Sequence, residues 1–98
     1  MMELGGNITL SGFKDLDKDT MIIIKKIIGS YIKKFNEKNS KFQSFSVNLK
    51  KTGETENSAI FELKANLIAD KQYNAETNDR NLLIAIDKLL KKLDSLVE

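Results

Sequence analysis

In residues 44–50 and 59–67 the apolar side chains recur at every second position, whereas in residues 21–37 and 82–97 they recur at every third or fourth. A chain with this pattern must fold a stretch of antiparallel sheet between helices, because period two places alternate residues on opposite faces of a strand and period 3.6 places them along one stripe of a helix. Phe45, Val47 and Leu49 alternate with Ser44, Ser46, Asn48 and Lys50, which predicts a strand with one wet face. The polar run 52–57 then predicts a hairpin loop, and Ala59, Phe61, Leu63, Ala65 and Leu67 alternate with Glu62, Lys64 and Asn66 in the next strand. Asp70-Lys71 reads as a tight turn into Gln72-Tyr73-Asn74-Ala75-Glu76, a further strand at the sheet edge.

The flanks complete the order. Asn7-Ile8-Thr9-Leu10-Ser11 alternates and ends at Gly12, so it reads as a short opening strand closed by a turn, while Gly5-Gly6 signals N-terminal flexibility only weakly. Asp15, Asp17 and Asp19 supply N-cap candidates for a helix running from about Met21 to about Glu37, with Ile24, Ile27, Ile28, Tyr31 and Phe35 as its core stripe. Asn36, Asn39 and Ser40 then interrupt the pattern as loop residues. Thr77, Asn78 and Asp79 are cap candidates for a second helix running to the end, with Leu82, Ile86, Leu89, Leu93 and Leu96 or Val97 on its stripe. The expected fold is α+β with order β-α-β-β-β-α, a four-stranded sheet carrying both helices on one face, as in double-stranded-RNA-binding domains.

Ninety-eight residues are enough for one modest core, so residues 1–98 are expected to form one domain. The absence of cysteine removes disulfides and thiolate metal sites, and the absence of histidine removes the commonest metal ligand and general base. No enzyme activity, metal site, cofactor or small-molecule substrate is expected. Asp15, Asp17 and Asp19 do not begin a calcium loop, since its sixth and twelfth positions would be Thr20 and Lys26 in place of glycine and glutamate. An acylphosphatase-like enzyme would need another strand after the second helix and an arginine in an anion-binding loop. The longest uninterrupted apolar run, Leu82 to Ile86, is far short of the roughly 20 residues that span a bilayer, and no signal pattern opens the chain, so a cytoplasmic location is expected.

The formal net charge is only +2, but it is unevenly spread: Lys25, Lys26, Lys33, Lys34 and Lys38 against Glu37 give residues 21–38 a local charge of +4. At about 100° per residue, Lys26, Gly29 and Lys33 share the helix side opposite the core stripe, beside Ser30. A mid-helix glycine costs roughly 1 kcal/mol relative to alanine, so Gly29 calls for a reason: either a phosphate backbone approaches closely between the lysines, or another element packs against it. In the second helix Lys88, Lys91 and Lys92 share one arc, diluted by Asp87 and Asp94. Two helices on one sheet face would let these strips frame a single positive groove suited to sugar-phosphate backbone.

Several of these segments carry a family resemblance. Phe61 to Val97, with Ala75-Glu76, Ala85-Ile86-Asp87 and Lys92-Leu93, resembles the ribosome hibernation-promoting factor and ribosome-associated inhibitor family. Residues 7–12 resemble its opening strand, and residues 25–34 are similar to its basic first helix. The resemblance implies the same β-α-β-β-β-α fold and a non-enzymatic protein that lodges in the decoding region of the small ribosomal subunit and silences idle ribosomes. It also implies that Lys25, Lys26, Lys33, Lys34, Lys88 and Lys92 contact ribosomal RNA phosphates, with Arg80 a weaker candidate. Ending after the second helix, the chain resembles the short form, which lacks the extension through which longer members pair ribosomes. Two other readings stand beside this one. One is a protein-interaction module or homodimer that uses the edge near Tyr73, or buries Ile22 and Ile23, which the helical wheel leaves outside the core stripe. The other is a double-stranded RNA binder.

Overall fold

The alternating runs pair as their periodicity demands. The computed structural model describes residues 2–3, 7–38, 41–53 and 59–96. Its elements are β1 (Met2–Glu3), β2 (Ile8–Ser11), α1 (Lys18–Lys38), β3 (Ser44–Thr52), β4 (Ile60–Ile68), β5 (Gln72–Asp79) and α2 (Leu82–Leu96). The strands form one mixed sheet in the order β1-β2-β3-β4-β5. β2 and β3 are parallel, which requires a long crossover, and α1 supplies it; the remaining neighbours are antiparallel.

The register brings Phe45 opposite Leu67, Val47 opposite Ala65, and Ala65 opposite Ala75, so the apolar sets of three strands share one face. Both helices cover that face. The Tyr31 ring of α1 lies 6.5 Å from the Phe45 ring, and the Thr77 hydroxyl of β5 donates to the Ala85 carbonyl of α2 at 2.9 Å. Tyr31 meets Phe45 while Phe35, one turn later, meets Phe42 just before β3, so α1 runs against β3. The second helix, α2, begins three residues after β5 ends and packs back over it, its Lys92 reaching Glu76, so it runs against β5. Since β3 and β5 are parallel to each other, the helices are parallel too. Leu10, Ile24, Phe45, Leu63, Leu67, Ile86, Leu89 and Leu93 fill one core, each fully buried aliphatic side chain contributing about 1.5–3 kcal/mol of transfer free energy.

Local chemistry sets the element ends. β2 stops at Gly12, whose φ of 82° is left-handed, and a Cβ there would collide with the Leu49 carbonyl oxygen across the parallel pair. Phe13 follows, 1% exposed, and anchors the turn into α1. Asp17 caps α1: its carboxylate accepts from the Thr20 backbone N–H at 3.2 Å and from the Thr20 hydroxyl at 2.6 Å. The hydroxyl bond, then the backbone bond, holds its carboxyl below the ordinary carboxylate range.

Several expectations are adjusted. A fifth, two-residue strand, Met2–Glu3, extends the sheet beyond β2. In α1 the buried stripe is Met21, Ile24, Ile28, Ile32 and Phe35, with Ile27 and Tyr31 half-buried at its border. Ile32 therefore belongs to the core, because packing between a sheet and a second helix widens the covered arc. Thr77, Asn78 and Asp79 do not cap α2; they finish β5, and Asn81 caps the helix by accepting from the Ile84 N–H at 3.2 Å. Leu96 is exposed, while Ala85 and Leu90 join the core. Gly5-Gly6, Asn39, Ser40, Val97 and most of the 52–57 loop lie outside the described residues. Among the described residues, no helix is long and apolar enough to cross a membrane.

Candidate nucleic-acid interface

The lysines of the two helices sort into three places. The first is the solvent side of α1. Lys25, Lys26 and Lys33 are exposed there around Gly29, and among the described residues none of the three has an ion-pair partner. A Cβ on Gly29 would meet nothing within 4 Å among the described residues, so none of the described elements packs on the glycine and the internal explanation for it falls away. This crest presents cations on both sides of a smooth patch of helix backbone.

The second place is a groove of about 880 Å³ between the helices. Lys26, Ser30, Lys34 and Lys38 form its α1 wall, Ile27, Tyr31, Phe35 and Leu90 its apolar floor, and Asp87, Lys91 and Asp94 its α2 wall. Lys91 is 3.0 Å from Asp87, one turn earlier on the same helix, so the two charges largely cancel. The α1 wall is cationic and the α2 wall is not. The Tyr31 hydroxyl is buried without a hydrogen-bond partner among the described residues, and burial, with the Asp94 charge second, pushes its pKa up to about 12.

Lys88 and Lys92 occupy the third place, a cleft of about 530 Å³ on the far side of α2, above β5 and shared with Asn78, Lys91 and Ser95. The Lys88 ammonium donates to Asp79 at 2.7 Å, and the Lys92 ammonium donates to the Glu76 carbonyl at 2.8 Å. The Asp79 carboxylate also accepts from the Asn81 N–H at 2.9 Å, and that bond, with Lys88 second, holds its carboxyl low. These lysines tie the second helix to the edge strand.

Of the two strips expected from the sequence to frame one groove, only Lys26, the neighbouring Ser30 and Lys91 line it, joined by Lys34, which the family resemblance named as a phosphate contact. Lys25, Gly29 and Lys33 stay on the crest, Lys88 and Lys92 turn toward β5, and Arg80 is exposed between β5 and α2. The expected single groove framed by two lysine strips is therefore corrected to a crest and two clefts. Rotation of α2 about its axis, fixed by Leu82, Ala85, Ile86, Leu89, Leu90 and Leu93 in the core, carries its basic arc away from α1. Lys38 joins the groove wall, and its place at the end of the row of four-residue steps Lys26, Ser30, Lys34 was the available signal. Among the described residues, no three carboxylates gather in a way that would hold a metal ion.

No protein-family profile matches the sequence, and no curated protein matches it. Among solved structures, the fold is similar to the crystal structure of the Thermus thermophilus Protein Y N-terminal domain, with a TM-score of 0.55 and 12% sequence identity. The match covers 94% of this chain and 93% of that one, and at this identity it is a likeness of fold.

Proposed function

We propose that this chain is a ribosome-associated factor that docks on the small subunit through ribosomal RNA phosphates and silences idle ribosomes by occlusion. The observation that carries the reading is the crest of α1. Among the described residues, three cations without ion-pair partners surround a glycine that no packing neighbour requires. A phosphate backbone is the partner whose charge and close approach suit both features. The fold shared with the Protein Y N-terminal domain supports the reading, as does the resemblance of residues 61–97 to hibernation factors. Recognition is positional rather than base-specific at this crest, and the action is that of a binding protein, not an enzyme. Lys88 and Lys92 act mainly by holding α2 on β5.

Co-sedimentation with purified small subunits at two salt concentrations tests this. With about four phosphates engaged, binding should weaken roughly a hundred-fold between 50 and 200 mM salt, and Lys26→Glu with Lys33→Glu should abolish it. Binding indifferent to salt, or retained by the double variant, would remove the proposal. A second reading rests on the exposure of Ile22 (51%) and Ile23 (44%), which suits a protein partner or a homodimer. A dimer by size-exclusion chromatography at low concentration would favour it. Equal affinity for a free RNA duplex would instead point to a general double-stranded RNA binder.

A further inference from the structure

We propose that the groove between α1 and α2 receives one unstacked guanine base of single-stranded RNA, with Asp94 accepting from its Watson–Crick edge and the α1 lysines meeting the flanking phosphates. This rests on the reading above and adds a base-recognition site to it. Phosphate contact alone does not account for the groove. Apart from the buried Tyr31 hydroxyl, its floor of Ile27, Tyr31, Phe35 and Leu90 offers a phosphate only apolar surface, and Asp94 would repel one. The walls ask for a ligand that is anionic toward α1, flat and apolar over its middle, and a hydrogen-bond donor toward α2. A nucleotide has that polarity.

The volume, about 880 Å³, is within the range of sites that bury small ligands. A base inside a duplex cannot enter, whereas a splayed base can lie against aromatic and aliphatic side chains. The carboxylates then discriminate. Asp87 is engaged by Lys91 at 3.0 Å, while Asp94 has neither an ion pair nor a hydrogen bond among the described residues. A carboxylate with both oxygens available pairs best with two adjacent N–H donors. Guanine presents N1–H beside N2–H on its Watson–Crick edge; adenine and cytosine place an amino group beside an acceptor, and uracil has one N–H between two acceptors. The Tyr31 hydroxyl, a donor without a partner among the described residues, gains one where guanine O6 approaches it.

The test titrates the ¹⁵N-labelled full chain with GMP, AMP, CMP and UMP in turn, following amide shifts along the groove. Because the lysines attract all four equally, the affinity ratios report the base alone. GMP is expected to bind roughly ten-fold tighter than AMP, the scale of one good bidentate contact, with shifts at residues 26–38 and 87–94. In Asp94→Asn the GMP-to-AMP ratio should fall to about one, even if all four bind more tightly. Equal affinities in the parent protein, an unchanged ratio in Asp94→Asn, or shifts confined to the Lys88 and Lys92 cleft would overturn the inference. Subunit co-sedimentation separates it from the broader reading. Salt-sensitive binding to subunits without guanine preference would sink only the base site, and guanine preference without subunit binding would sink only the ribosomal role.

Discussion

Replacing Gly29 by alanine should move stability and partner binding in opposite directions. Gly29 sits within α1 on the exposed side, outside the left-handed region, and an added Cβ finds no neighbour within 4 Å. The methyl therefore adds no contact and no clash in the free protein, leaving the change in helix propensity as the main effect, about 1 kcal/mol in favour of alanine. For a domain of this length that corresponds to a rise in Tm of roughly 4–8 °C, readable by far-UV circular dichroism. If an RNA backbone lies against the glycine, the same methyl intrudes on a packed contact. Such intrusion costs about 1–3 kcal/mol, roughly a five- to hundred-fold loss of affinity, measured by co-sedimentation at fixed salt. A variant that is stabilised and binds as well as the parent would refute the argument that close approach retains the glycine. A destabilised variant would refute the account of the crest as an open helix surface.

Two further outcomes follow from the caps and turns. Gly12→Ala should cost about 2 kcal/mol or more, because φ stays at 82° only under strain and the Cβ meets the Leu49 carbonyl; an unchanged urea midpoint would contradict this. Asp17 and Asp79 both have folded pKa values held below the ordinary 3.8, so their stabilisation is complete above the unfolded value and is lost as pH falls through the lower folded values. Unfolding midpoints measured from pH 6 downward should therefore decline below about pH 4, and Asp79→Asn should show a shallower decline; identical profiles would refute the role assigned to Asp79.

Much of this architecture was legible in the amino-acid order. Alternation at Phe45, Val47 and Leu49 and again at Leu63, Ala65 and Leu67 gave the central hairpin, whose observed register places those residues directly opposite one another. The helical stripes gave α1 and α2 to within a turn, and the β-α-β-β-β-α order followed. The less legible parts were those where one residue serves two elements. Thr77 and Asp79 look like helix caps by composition, yet β4 recruits them as strand, since Leu63 and Phe61 need partners across the edge. Met2–Glu3 is too short for periodicity to register at all.

The lysine arrangement divides in the same way. Which lysines share a helix face depends on 3.6-residue spacing alone, a property of the local chain, so the sequence by itself was enough to group Lys26 with Gly29 and Lys33, and Lys88 with Lys91 and Lys92. Whether two such groups face each other depends on how each helix is rotated against the sheet, and that rotation is fixed by long-range packing of Ile32, Leu90 and their neighbours. Tertiary structure alone decided that Lys91 shares the groove with Lys26 and Lys34 while Lys88 and Lys92 reach for Asp79 and Glu76. An ammonium on a flexible stem takes the carboxylate or carbonyl that the fold brings within reach, and only the folded chain determines which one that is.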